Sequence, residues 1–123
     1  MDTKNYLTPQ EVLDATIASG EKKARLPIWQ MLLLAILAGA FIAFAAEGSN
    51  MAAYGLLAEP KTYGLGRVVS GAVFGAGLMM VVLAGGELFT GNSLMVAAAL
   101  EKKIKVRGLL KNWLIVYLGN LLG

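Results

Sequence analysis

The densest chemistry in this chain lies in Gly85-Gly86-Glu87-Leu88-Phe89-Thr90-Gly91-Asn92, where glycines, a carboxyl group and two residues with helix-capping side chains interrupt an apolar run. That run extends from Val68 to Leu100, and Glu87 is its single charge. As one straight helix it would measure roughly 50 Å at about 1.5 Å per residue, against a hydrocarbon core about 30 Å thick. It must therefore be broken. The glycines place the break: Val68 to about Ala84 forms one half-helix and Ser93 to Leu100 a shorter second one. Irregular backbone is tolerated at membrane depth only where it is buried in protein or lines a water-filled cavity.

A helix that restarts after such a break has unpaired N–H groups in its first turn, here Thr90 to Leu94, and their dipoles favour a negative ligand. Thr90, Gly91 and Asn92 are therefore candidates for binding an anion. The competing reading is that Thr90 or Asn92 caps the half-helix internally and no ligand meets those amides. A carboxyl at membrane depth costs a few kcal/mol unless it is paired. An acid facing an anion route would also repel its cargo, so Glu87 reads as an acceptor for loop amides or as a buried partner, with Gly85 and Gly86 as structural loop residues. Proton relay or cation coordination is the alternative.

The chain has no histidine and no cysteine, which excludes disulfides, thiolate or imidazole metal sites, haem on a histidine and Ser-His or Cys-His catalysis. No enzyme site, metal or cofactor is expected. Of the 123 residues, 57% are apolar and only 15% charged, which is the composition of a membrane protein. The net charge of +3 does not indicate nucleic acid, because the basic residues sit at the ends of apolar runs instead of clustering on one face. Gly64-Leu65-Gly66 lacks the third glycine and the setting of a dinucleotide site.

Three elements must hold the break in place. Ile28 to Ala46 carries no charge and is long enough for one span; the broken run supplies the second; a third, from about residue 112, stops at Gly123 part-way across a bilayer. A helix ending in hydrocarbon leaves carbonyls unpaired, so a continuation beyond Gly123 is expected. Lys4, Lys22, Lys23 and Arg25 precede the first span, and Lys102, Lys103, Lys105, Arg107 and Lys111 lie between the second and third, against Lys61 and Arg67 in the first connection. The excess of positive charge puts the N-terminus and the 101–111 loop in the cytoplasm. Thr8, Pro9 and Glu11 form a capping box that starts an amphipathic helix over about 8–25, lying on the membrane surface or packed on its own protein. Glu47 to Gly66 reads as an extracytoplasmic loop with a short helix near 51–57. Small residues spaced by four, at Ala35, Gly39 and Ala43, at Gly71 and Gly75, and at Gly119 and Gly123, mark helix-packing faces.

Glu87-Leu88-Phe89-Thr90-Gly91-Asn92, preceded by Phe74 and Leu78 and followed by Lys111-Asn112-Trp113 and Tyr117-Leu118-Gly119-Asn120, resembles the formate/nitrite transporter family. The resemblance covers nearly the whole chain. It implies an all-α integral membrane protein, an aquaporin-like inverted-repeat helical bundle of six spans. This chain would be its first three-span half, with a broken second helix, and 1–123 would be the N-terminal half of one channel domain. An odd number of spans per half makes a duplicated half enter the membrane inverted, as in other inverted-repeat transporters. The resemblance further implies a homopentamer in the cytoplasmic membrane with a pore in each protomer for small monovalent anions: formate, nitrite or hydrosulfide. Phe74, Leu78, Leu88 and Phe89 would form the pore constriction and Thr90 would meet the permeating anion. The family's pore histidine belongs to the missing C-terminal half. Gly91-Asn92 departs from the serine-containing loop of formate members, which points weakly to nitrite or hydrosulfide. The rival readings are an aquaporin-like pore for neutral solutes, which would carry an Asn-Pro-Ala motif, and a membrane anchor subunit of a redox enzyme, which would use histidine ligands.

Overall fold

A computed structural model describes residues 6–123; Lys4 lies outside them. The described residues fold into helices α1 (Pro9–Ala24), α2 (Ile28–Ala58), α3 (Tyr63–Ala84), α4 (Phe89–Asn92), α5 (Met95–Leu100) and α6 (Val106–Leu122). Helices α2 and α3 are long and apolar enough to cross a membrane. The short pair α4 and α5 with the irregular segment before them is the break in the second apolar run.

α1 begins on the expected capping box, with the Glu11 N–H donating to Thr8 Oγ1 and the Thr8 N–H donating to Glu11 Oε2. One face of α1 lies on α5, where Gly20 is buried and a Cβ would come within 2.9 Å of the Ala98 methyl. α1 thus packs on its own protein, and Val12 and Leu13 remain exposed. Gln10, Asp14 and Glu21 share a shallow cleft with Glu101 and Lys103, so α1 and the start of the 101–105 turn occupy the same end of the molecule.

α2 continues past Ala46 to Ala58, and α3 starts at Tyr63, so only Glu59–Thr62 remains as a connection. The expected loop is helical for a physical reason. Met51-Ala52-Ala53 and Leu56-Leu57-Ala58 are strong helix formers, and the polar Ser49, which would be costly to bury alone, donates to the Ser70 carbonyl at 2.8 Å and meets Ser70 Oγ at 2.7 Å. The two helices run antiparallel, with Gly86 against Ala38, Gly77 against Ala45, Ser70 against Ser49 and Gly66 against Leu57. Thr62 Oγ1 closes the hairpin on the Leu56 carbonyl at 2.8 Å. Exposed Trp29 lies near one end of this hairpin and exposed Tyr54 and Tyr63 near the other, the distribution of aromatics at two membrane interfaces.

Of the small-residue faces, that of α6 packs as expected, that of α2 does so at Ala35 and Gly39 while Ala43 stays exposed, and that of α3 does not. Gly119 meets Ala35, Gly123 meets Ile36 and Ala40, and a Cβ on Gly39 would strike the Asn120 carbonyl. Gly71 and Gly75 face open space instead; the glycines of α3 that meet α2 are Gly66, against Leu57, and Gly77, whose added Cβ would strike the Ala45 methyl. The helical phase decides this, since Gly77, not Gly75, shares a side with the buried Gly66 and Val81. The core centre is Met31, Ala35 and Val116, with Leu26, Phe89 and Ile115 packed around it.

Candidate functional site

α3 ends at Gly85, whose left-handed conformation (φ 67°, ψ 31°) lets its N–H bond the Val82 carbonyl and the Gly86 N–H bond the Val81 carbonyl at 2.8 Å. The helix restarts at Phe89, earlier than the Ser93 expected from composition, so the irregular stretch is Gly85–Leu88. The Glu87 N–H donates to the Leu34 carbonyl of α2 at 3.2 Å. The Phe89 N–H donates to Asn120 Oδ1 at 2.8 Å, and Asn120 Nδ2 donates to the carbonyls of Glu87 and Ala35, each at 2.8 Å. A segment without helical hydrogen bonds is thus paired by α2 and by one side chain of α6.

The Glu87 carboxylate is buried and has a cation for a partner. Lys23, from the last turn of α1, places Nζ 2.8 Å from Glu87 Oε1 and 2.9 Å from Asn92 Oδ1. Asn92 Nδ2 donates to Glu87 Oε2 at 2.7 Å and to Asn112 Oδ1 at 2.8 Å, and Trp113 Nε1 donates to the Asn92 carbonyl at 2.9 Å. Among the described residues no buried side-chain nitrogen or oxygen lacks a partner. A buried acid is tolerated under these conditions, since its charge is matched and both its oxygens accept hydrogen bonds. The reading of Glu87 as a buried partner describes this geometry better than the reading as an acceptor for loop amides.

Beside the network lies a cleft of about 650 Å³, bounded by Ser19, Lys22 and Lys23 of α1, by Gln30 and Leu34 of α2, by Leu78 and Val81 of α3, and by Gly85 to Leu88, Gly91 and Leu94 of the break. Its lining combines the charged Lys22, Lys23 and Glu87 with the apolar Leu78, Val82 and Leu88. The cleft thus brings apolar leucines and valines together with lysine side chains. It holds no nucleophile and base in contact.

The structure brings some of the expected site residues together and separates others. Leu78, Leu88 and Gly91 line the cleft, with Gly85, Gly86 and Glu87 beside them. Phe74 is exposed on α3 one turn away from Leu78, outside the cleft lining. Phe89 turns to α6, edge-on to Trp113 and Tyr117 with ring centroids 6.1 and 5.5 Å apart, and lies outside the cleft lining. Asn92 borders the cleft but is fully buried, with both amide N–H groups used inside the protein. Thr90 is exposed, and its carbonyl accepts from Ser93 Oγ at 2.6 Å. The N–H groups of Asn92, Ser93 and Leu94 bond the carbonyls of Leu88, Phe89 and Gly91, which confines the expected free amides to Thr90 and Gly91.

The model of the formate/nitrite transporter family matches residues 10–123, the break and its partners included. The chain belongs to the formate/nitrite transporter family. This member is 38% identical over 120 residues to a probable formate transporter of Methanothermobacter thermautotrophicus, covering 97% of this chain and 44% of that protein. It is 40% identical over 117 residues to the formate channel BtFdhC of Bacillus thuringiensis, covering 94% and 44%. It is 36% identical over 119 residues to the formate channel FocA of Escherichia coli K12, covering 97% and 41%. The chain spans less than half the length of these relatives. No solved structure matches it.

The family model and the relatives' names describe transporters and channels. Within this family member, the partners of the break escaped the reading from sequence: Lys23 counted there only as a topogenic charge, and Asn112 and Asn120 only as parts of a pattern. The available signal was the cost of an unpaired Glu87, which requires a cation, and Lys23 stands at the end of the helix that packs on α5.

Proposed function

We propose that this chain forms the first half of a transmembrane pore for small monovalent anions such as formate, nitrite or hydrosulfide, in an aquaporin-like inverted repeat completed by a C-terminal half. The observation that carries the reading is the break itself: Leu88 lines the cleft together with Leu78, on backbone paired by Asn120 and flanked by the Lys23, Glu87, Asn92 and Asn112 network. An ion loses hydration between apolar side chains, at a cost of many kcal/mol unless compensated. Leu78 and Leu88 supply that barrier, Thr90 and the amides of Thr90 and Gly91 supply replacement hydrogen bonds, and Lys22 raises the local anion concentration at the mouth. Phe74, one turn from Leu78, narrows the route further when the second half closes the cleft. The assembly is a homopentamer in the cytoplasmic membrane with the N-terminus inside, since α1 and the lysine-rich 101–105 turn share one end.

The experiment is anion flux into liposomes carrying the intact transporter. Formate, nitrite and hydrosulfide flux should exceed that of neutral solutes of the same size, and Leu88→Ala should raise total flux and reduce the discrimination. Equal flux of anions and neutral solutes would favour a neutral-solute pore and refute the reading.

A further inference from the structure

Asn120 uses its whole side-chain amide at the break. Nδ2 donates to the Glu87 carbonyl and the Ala35 carbonyl, and Oδ1 accepts from the Phe89 N–H, all at 2.8 Å. The Glu87 carbonyl and the Phe89 N–H belong to the two peptide units that flank Leu88. One side chain therefore fixes the backbone on both sides of the Leu88 Cα, and its third bond ties that unit to α2. Leu88 itself is extended (φ −110°, ψ 128°) at the N-cap of α4, where its carbonyl accepts from the Asn92 N–H at 2.9 Å. An amide is the side chain that fits, since it offers two donors for two carbonyls and one acceptor for one N–H.

We infer that Asn120 is the positioning residue for Leu88: it sets the leucine into the cleft and through it decides which anions pass. The inference rests on the proposed role of Leu88 in the barrier. Asn120 touches no permeating ion, because its polar atoms are engaged with backbone. A free loop would let Leu88 swing and the narrowing would become a distribution of widths, which blurs discrimination between small and larger monocarboxylates more than it changes total flux.

The test is the ratio of formate to acetate flux in liposomes carrying the intact transporter. Asn120→Ala should lower that ratio by about fivefold to tenfold, the order expected when hydrogen bonds to buried backbone are lost. Leu88→Ala should lower it comparably, and adding Asn120→Ala to Leu88→Ala should change it no further. Asn120→Asp keeps the size and the acceptor for Phe89 but cannot donate to both carbonyls, so it should behave like Asn120→Ala and serves where that variant does not assemble. Asn120→Gln, which keeps the amide, should lose less. An unchanged ratio in the Asn120 variants while Leu88→Ala alters it, or additive effects in the double variant, would overturn the inference alone. An unchanged ratio in Leu88→Ala would remove the pore reading with it. Failure of every Asn120 variant to assemble would make Asn120 a folding residue and overturn the inference as well.

Discussion

Lys23 Nζ lies 2.8 Å from Glu87 Oε1, an ion pair spanning 64 residues of sequence that ties the last turn of α1 to the middle of the broken helix. The lysine is partly accessible and the glutamate almost fully buried, so removing the cation strands the acid and not the reverse. Lys23→Met should destabilise the folded protein by about 3 kcal/mol, the lower end for breaking a buried pair, because solvent reaches the lysine side. The readout is the thermal midpoint of the detergent-solubilised transporter. Glu87→Gln added to Lys23→Met should restore much of the loss; an unchanged midpoint in Lys23→Met alone would show that the pair carries no net stability.

The apolar narrowing should rank its residues by their place in the cleft. Leu88→Ala and Leu78→Ala should each raise anion flux several-fold, and Phe74→Ala should do less, since Phe74 lies outside the cleft lining. Thr90→Ala should lower flux of the preferred anion by about fivefold, one hydrogen bond's worth, and Thr90→Ser should be milder. Stopped-flow measurement on proteoliposomes decides the order, and a larger effect at Phe74 than at Leu88 would contradict it.

Among the described residues, Gly85 and Lys102 occupy left-handed backbone, and substitutions there should have opposite signs. Gly85 (φ 67°) has open space where a Cβ would go, so Gly85→Ala should destabilise by about 1 kcal/mol through conformation alone. Lys102 (φ 57°) closes α5, with its N–H on the Ala99 carbonyl and that of Lys103 on the Ala98 carbonyl. Lys102→Gly should stabilise by about 0.5 to 1 kcal/mol. Chemical unfolding of both variants in detergent measures each sign.

Topology can be read directly because the chain contains no cysteine. A cysteine introduced at Lys103 should react with an impermeant thiol reagent only from the cytoplasmic side, and one at Ala58 only from the outside. The reverse pattern would invert the orientation argued from the basic residues.

What the sequence made legible and what it hid follow from how each signal is encoded. The break could be found because an apolar run too long for one span carries Gly85-Gly86 and a charge, all local facts. The capping box at Thr8 to Glu11 is local too. The extension of α2 to Ala58 was hidden by Gly48, Ser49, Asn50 and Gly55, residues of weak helix propensity whose cost is met by packing on α3, as the Ser49 and Ser70 pair shows. The direction of Phe89 was hidden because neighbours in sequence, Leu88 and Phe89, look alike in composition, and only the position of α6 decides that one faces the cleft and the other Trp113. The place of Asn92 as the meeting point of α1, the break and α6 was hidden because it depends on contacts 20 and 69 residues away.

Gly39 and Asn120 together act as a ruler. A side chain at Gly39 would collide with the Asn120 carbonyl, so α2 and α6 sit at the spacing that an absent methyl group permits. At that spacing, and no wider, one amide reaches from α6 to the Ala35 carbonyl on α2 and to the loop at the same time. The spacing of the two helices is thus written in a residue that borders neither the loop nor the cleft. A single carbon added there would push the helices apart and loosen Leu88 while every residue of the loop stayed the same.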